Sequence, residues 1–159
     1  TASSTRLAID STGAVTMPLQ PAFSVANAGT QYGSGINLNT QNYIGFDTET
    51  FDQNADFASN TFTAPVTGRY QFNALIRVNS LDTSATFYQL VINTSNRLYY
   101  TTVDPNFSSD LSYFNFNFSI LADMDASDTT SVYIYQQGGS QQTTVTGGND
   151  IRFSGYLVA

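Results

Sequence analysis

The chain has 159 residues, a length that suits one domain or one domain with a short extension. It contains no His and no Cys, and its five basic residues are all Arg, which excludes a His general base, a thiolate site and Schiff-base chemistry on Lys. The net charge of −7 argues against a nucleic-acid partner, because phosphate groups attract basic surfaces. No apolar run approaches the ~18 residues of a membrane span, so membrane insertion is not expected.

The first 20 residues differ in pattern from the rest of the chain. LAID and AVTM, within residues 7–17, are short alternating stretches joined by a Ser-Thr-Gly turn, a pattern that predicts a hairpin. An isolated two-stranded unit is marginally stable in water. Residues 1–20 are therefore either a flexible chain end or linker hairpin, or the last piece of a repetitive stalk that rests on a neighbouring chain.

The remainder of the chain alternates apolar and polar side chains with a period of two, which is typical of strands with one buried face. The alternation is clearest in RYQFNALIRV (residues 69–78), YFNFNFSIL (residues 113–121) and TTSVYIYQ (residues 129–136). Turn-forming Gly, Pro, Asn and Asp residues separate these segments. About ten short strands without helices predict an all-β sandwich or jelly roll.

Several landmarks from residue 21 onward resemble the globular domain of the C1q/TNF family. They are, in chain order, PAFSV (21–25), FDTETFDQN (46–54), FTAPVTGRYQF (62–72), LADMDASDTTSVYIY (121–135) and IRFSGYLV (151–158). This resemblance covers residues 21–159 and implies a ten-stranded jelly roll that assembles as a homotrimer. Such a domain is expected to be a binding module and not an enzyme.

RLAIDSTGAVTMP (residues 6–18) is similar to hairpins in bacteriophage tail-fibre stalks that directly precede a C-terminal head. The two resemblances together imply the tip of a phage tail fibre on the virion, which binds a glycan or an outer-membrane protein of the bacterial surface. Two alternatives stay open: a structural cap that trimerises the fibre, and a secreted C1q-like lectin that binds glycans.

The final strand, RFSGYLV, is apolar on both faces, and such strands are normally covered on both sides. In the family that the chain resembles, this strand lies in the sheet that faces the threefold axis. The resemblance therefore places a set of side chains near the subunit interface: Tyr113, Asn115, Asn117, Tyr156 and Val158.

Counting strands from a shared stalk end predicts which loops lie far from the stalk. These distal loops are residues 81–84, 104–111 and 138–150, whereas residues 65–68, 94–96 and 123–128 are proximal. The segment 138–150 is rich in Gly, Gln and Thr and is expected to be a long, mobile loop. Amide, hydroxyl and aromatic groups suit sugar hydroxyls, which predicts the following receptor-binding residues: Tyr32, Asp82, Asn106, Phe107, Gln141 and Gln142.

Acidic residues raise two further possibilities. Convergence of Asp104, Asp110 and Asp150 with Asp82 would create an apical calcium site, because oxygen-only ligands suit a hard cation. No other cofactor is expected. The triplet Asp123, Asp125 and Asp128 and the pair Asp52 and Asp56 are more typical of turns than of a calcium loop or a catalytic carboxylate pair.

Overall fold

The computed structural model describes residues 6–159, and the first five residues of the predicted stalk segment lie outside this range. Thirteen strands form within it: β1 (Ala8–Ile9), β2 (Val15–Thr16), β3 (Ala22–Gln31), β4 (Gln41–Tyr43), β5 (Thr48–Asp52), β6 (Phe57–Ala58), β7 (Thr61–Thr63), β8 (Gly68–Leu81), β9 (Phe87–Thr94), β10 (Leu98–Val103), β11 (Leu111–Met124), β12 (Thr129–Gln137) and β13 (Val145–Leu157). No helix long and apolar enough to cross a membrane occurs in residues 6–159.

Eleven of these strands, all within residues 22–157, form two sheets. The five-stranded sheet has the order β11-β8-β13-β3-β5, and the six-stranded sheet has the order β10-β9-β12-β7-β6 with β4 paired to β12. Every registered pair is antiparallel. The all-β prediction is confirmed. The two sheets contain eleven strands and not the predicted ten, and the short strand β4 is one reason for the difference.

The core lies between the two sheets and is built on Phe rings. Phe23 stacks on Phe62 with ring centroids 4.8 Å apart, and its edge meets Phe153 at 5.1 Å. Phe72 stacks on Phe153 at 5.8 Å. These four side chains are fully buried, and each such burial stabilises the fold by about 1.5–3 kcal/mol.

Period-two alternation sorts the long strands as predicted. Along β8, Tyr70, Phe72 and Ile76 are buried, whereas Arg69 and Asn73 face solvent. The inward-facing side chains of β11 are less completely buried than those of β8. Phe116 is buried, but its inward-facing neighbours Phe114 and Phe118 are only half-buried. The sandwich is therefore incompletely closed at the edge where β11 lies.

The predicted N-terminal hairpin is present as a separate two-stranded sheet, in which Ala8 pairs with Thr16 and Ile9 with Val15. The carboxylate of Asp10 accepts hydrogen bonds from the backbone N–H groups of Thr12 (2.8 Å) and Ala14 (3.0 Å) and so fixes the turn. Ile9 and Val15 both remain exposed. The hairpin has no core of its own.

The segment 138–150 is shorter as a loop than predicted, because β13 already begins at Val145. Its glycines serve a bulged strand: the register between β13 and β3 shifts on both sides of Gly148, which has a φ of +148°. A Cβ on Gly147 would lie 2.0 Å from the carbonyl oxygen of Gly29. Gly is required here for close approach of two strands, and residues 145–150 belong to a strand and not to the predicted loop.

Replacing Gly155 by Ala should test the packing of the Phe core. The added Cβ would lie 2.5 Å from Cδ1 of Phe72 and 2.8 Å from Cε1 of Phe23, so the rings must move. We expect Gly155→Ala to lower the free energy of unfolding by about 1–3 kcal/mol in urea titrations. Gly45→Ala is the matched control, since its nearest neighbour would be 3.5 Å away, and an equal loss in both variants would contradict this view of the core.

Candidate binding site at the distal rim

Both termini of the sandwich lie at one end of the molecule, which we call the proximal end. The backbone N–H of Leu157 donates to the carbonyl of Pro21 (3.0 Å), and that of Arg69 donates to Ala159 (2.7 Å). Three loops also lie at this end: 64–67, 95–97 and 125–128. The side chain of Asn96 donates a hydrogen bond to Asp128 (2.6 Å), which joins two of them. This agrees with the proximal loops expected from strand counting.

The opposite end, which we call the distal rim, consists of residues 32–40, 82–86, 104–110 and 138–144. Hydrogen bonds join these loops to one another. Gln141 donates to the carbonyl of Gly35 (3.3 Å), and the backbone of Thr86 donates to the carbonyl of Gln137 (2.7 Å) at the base of the loop 138–144. The strand count therefore identified three of the four distal loops, and the fourth contains Tyr32, which was also predicted to be distal.

Asp82 lies beneath the rim and does not belong to its contact surface, contrary to the prediction. It is only 3% exposed, and its carboxylate accepts hydrogen bonds from the backbone N–H of Ser84 (2.8 Å) and from that of Ser140. The hydroxyl of Tyr88 bonds to that of Thr143 (2.6 Å) just below. This buried network holds the loops 82–86 and 138–144 together.

Asp110 links two distal loops at the surface. Its carboxylate accepts hydrogen bonds from the backbone N–H of Thr83 (2.9 Å) and from the side-chain amide of Gln142 (2.6 Å). The Thr83 N–H, followed by the Gln142 amide, lowers the pKa of Asp110 below its ordinary value. Asp110 is therefore ionised at neutral pH and positions Gln142 at the rim.

Tyr32 and Gln141 also have partners within the protein. The hydroxyl of Tyr32 donates to the carbonyl of Tyr43 (2.7 Å), and burial raises the pKa of this phenol. Gln141 is exposed, although its amide reaches Asn37 at 3.2 Å. Tyr32 thus packs against the core, whereas Gln141 offers part of its surface to solvent.

Asn106 and Phe107 are accessible at the rim, as Gln141 is. Asn106 is exposed, and Phe107 keeps 40% of its surface exposed while its ring lies 6.3 Å from that of Phe114. Among the six predicted receptor-binding residues, the rim therefore presents four at or near its surface: Asn106, Phe107, Gln141 and Gln142.

The predicted convergence of distal acids is not observed. Asp150 lies within β13 and pairs with Arg77 at 2.5 Å, Asp110 is held by Thr83, and Asp104 is exposed. No group of three or more acidic side chains close enough to hold a metal ion occurs in the part of the chain that the structure describes. The separation of these acids over a strand and two loops accounts for the difference.

The two other acidic motifs form turns. Asp128 accepts a hydrogen bond from the backbone of Asp125 (2.7 Å) between β11 and β12. The carboxylate of Asp52 accepts bonds from the backbone N–H groups of Asp56 (3.1 Å) and Phe57 (2.8 Å). Burial, followed by the nearby charge of Asp52, raises the pKa of Asp56. Both motifs therefore have a structural role in the local backbone.

Four of the five residues predicted for a subunit interface share the outer face of the five-stranded sheet. Tyr113, Asn115 and Asn117 alternate along the exposed side of β11, and Tyr113 is 68% exposed with its ring 5.5 Å from the guanidinium of Arg77. Tyr156 projects from the same face through β13. Val158 lies just past the end of β13, at the proximal end.

A second surface was missed by the sequence analysis. At the edge where β10 and β11 lie, five inward-facing apolar side chains are only half-buried: Tyr99, Val103, Phe114, Phe118 and Ile120. We call this edge the β10–β11 seam. The period-two pattern placed Phe114, Phe118 and Ile120 on one face of their strand, but it carried no information on which edge of the sandwich would be left open.

We expect the Asp82 network to stabilise the fold. Asp82→Ala removes the buried carboxylate that accepts hydrogen bonds from the backbone N–H groups of Ser84 and Ser140, and a hydrogen bond to a charged group contributes about 1.5–3 kcal/mol. We expect a loss of about 2 kcal/mol in the free energy of unfolding. The exposed Asp104→Ala serves as control and should change this value by less than about 0.5 kcal/mol. Equal effects of both substitutions would show that the network does not stabilise the rim.

No family model matches the sequence, and no curated protein matches it. Solved structures do match. The globular domain of zebrafish complement 1qA protein is 17% identical, with a TM-score of 0.61 over 88% of this chain and 98% of that chain. Murine APRIL is 6% identical, with a TM-score of 0.62 over 87% of this chain and 99% of that chain. At these identities the likeness concerns the fold alone, and by its fold the protein is a C1q/TNF-like jelly roll.

Proposed function

We propose that this protein is the non-enzymatic receptor-binding tip of a bacteriophage tail fibre, which attaches to a glycan or protein of the bacterial surface. The observation that carries the proposal is the division of the molecule into two ends. Both termini lie at the proximal end. The distal rim, held rigid by Asp82 and Asp110, presents amide and aromatic side chains at the other end.

The N-terminal hairpin supports the attachment of this head to a fibre. Its sequence resembles phage stalk hairpins, and its side chains Ile9, Val15 and Met17 are exposed next to the proximal end. A two-stranded unit with exposed apolar side chains gains stability when neighbouring copies cover it. In a fibre, those neighbours are the same hairpins of the other subunits.

Two uncovered surfaces support assembly as a homotrimer. The β10–β11 seam leaves apolar side chains half-buried, and the outer face of the five-stranded sheet exposes Tyr113, Leu121 and Tyr156. These are different patches on one subunit, so contact between them is head-to-tail and closes into a ring when the rotation allows. Three copies around one axis bring three distal rims to the same end, which increases avidity.

The C1q-like lectin is the second candidate, because the fold is shared with a complement domain. In a secreted lectin, as in a phage fibre tip, the distal rim would be the surface that binds the target. The gene sequence upstream of this chain distinguishes them, since a repetitive fibre favours the tip and a signal peptide with a collagen-like stem favours the lectin.

Charge placed on the outer face should break the assembly. We expect the wild-type protein to sediment as a trimer at micromolar concentration, and Tyr113→Asp combined with Leu121→Asp to sediment as a monomer, because Asp must be desolvated in the interface. The control is Tyr43→Asp on the six-stranded sheet, which should remain trimeric. A monomeric wild-type protein in sedimentation velocity would contradict the assembly proposal.

Shortening the rim side chains should weaken attachment. We expect the purified protein to bind cells of a susceptible strain saturably and to compete with infection, and Asn106→Ala with Phe107→Ala to weaken cell binding by about tenfold or more. Asp125→Ala at the proximal end is the control and should bind as the wild type does. A head that binds no strain in a whole-cell screen and does not compete favours a structural cap.

A further inference from the structure

The outer face of the six-stranded sheet carries a row of large side chains that the functions above do not use. Strand register places Tyr100 of β10 opposite Val91 of β9, Val91 opposite Tyr133 of β12, and Tyr133 opposite Tyr43 of β4. These four side chains therefore line up at right angles to the strands. We call this set the tyrosine row.

The row has a rigid base and accessible ends. Tyr133 and Val91 are 5% and 1% exposed, whereas Tyr43 and Tyr100 are 46% and 56% exposed. The ring of Tyr43 lies 5.4 Å from that of Tyr133, which supports it from below. Because neighbouring strands are ~4.8 Å apart, the two exposed rings are separated by three strand spacings, or roughly 14 Å.

A second row of polar side chains runs beside the first. Gln41, Tyr135, Gln89 and Thr102 occupy the next outward-facing register positions of the same four strands. The amide of Gln89 donates to the hydroxyl of Thr102 (3.2 Å), and the hydroxyl of Tyr43 donates to Gln41 (3.1 Å). Donors and acceptors are thus held in place along the whole length of the tyrosine row.

The face is uncharged, although the protein has a net charge of −7. None of the residues of β4, β9, β10 and β12 is Asp, Glu, Lys or Arg. A charged ligand would find no countercharge on these strands, and desolvating it there would be unfavourable. A neutral ligand with both apolar and hydroxyl groups is complementary to this surface.

We propose that the tyrosine row and the polar row beside it bind a neutral polysaccharide. The C–H faces of a pyranose ring pack against the electron-rich faces of Tyr43 and Tyr100, while the sugar hydroxyls exchange hydrogen bonds with the Gln and Thr side chains. The separation of the exposed rings calls for an extended chain of several sugars. This site lies on the flank of the sandwich and is distinct from the rim contact proposed above.

Most of the flank faces away from the contact in the proposed trimer. It belongs to the six-stranded sheet and faces away from the five-stranded sheet, whose outer face supplies Tyr113 and Leu121 to the assembly. Tyr100 lies on β10, which borders the seam, but it is on the outer side of that strand, opposite the inward-facing Tyr99 and Val103 that belong to the seam. Binding at the flank and binding at the rim can therefore be measured separately on the same assembled protein.

Affinity electrophoresis in native gels tests the proposal, since a protein with a pI of about 4.1 migrates towards the anode. The gels contain dextran, mannan, soluble starch or galactomannan, with alginate as a charged comparison. We expect retardation by at least one neutral polymer and none by alginate. Tyr43→Ala and Tyr100→Ala should each weaken the retardation by about tenfold, and the double variant should abolish it, whereas Tyr100→Phe should retain it.

Phe107→Ala is the matched control, because it removes an exposed aromatic ring from the rim and leaves the flank intact. It should be retarded like the wild type, so that loss of cell attachment and loss of polysaccharide binding are distinguishable. The proposal is overturned if none of the four neutral polymers retards the protein, or if the double variant is retarded as strongly as the wild type. It is also overturned if the double variant changes the subunit number in sedimentation, which would make the flank a contact between copies.

Discussion

Phe side chains from both sheets meet in the middle of the sandwich, and their mutual burial holds the two sheets together. Phe23 contacts Phe62 across the core at 4.8 Å, and Phe153 of the last strand packs beside them. Because these rings come from β3, β7 and β13, the cluster joins segments from the beginning, middle and end of the domain. This cluster therefore ties the two sheets and both ends of the domain to one core.

At the distal end, the loops are stabilised by buried polar groups and not by the Phe cluster. Asp82 is almost fully enclosed, yet it is compatible with burial because Ser84 and Ser140 donate to its carboxylate. A buried acceptor of this kind fixes loop positions with a directionality that apolar contacts lack. The same feature removes Asp82 from the exposed surface and ties the Gln-rich loop above it to the loop 82–86.

The two outer faces of the sandwich differ in chemistry, which suggests separate roles. The face of the five-stranded sheet includes Arg77 and Arg152 among exposed Tyr, Asn and Leu side chains, and it adjoins the incompletely closed β10–β11 seam. The strands of the six-stranded sheet that carry the tyrosine row have no charged side chain. This difference is the basis for proposing self-association through one face and a neutral ligand on the other.

The residue pattern alone determined the all-β class and the side chains that share one face of β8, β11 and β12. These properties follow from period-two alternation, which is a local property of each strand. The placement of Phe107 and Gln142 at the distal rim, where the structure finds them, came from strand parity together with the expected attachment of both chain ends to one stalk. Parity was sufficient because successive antiparallel strands run in alternating directions between the two ends of a sandwich.

Only the tertiary structure decided that Asp82 is buried, that Asp150 pairs with Arg77 and not with other acids, and that Gly147 and Gly148 belong to a bulged strand. The tyrosine row was likewise invisible in the sequence, since its members come from β4, β9, β10 and β12. The physical reason is common to all four: burial, ion pairing and cross-strand alignment depend on which strands become neighbours. That order is set by the packing of the whole sandwich and is not encoded in the period of any single strand.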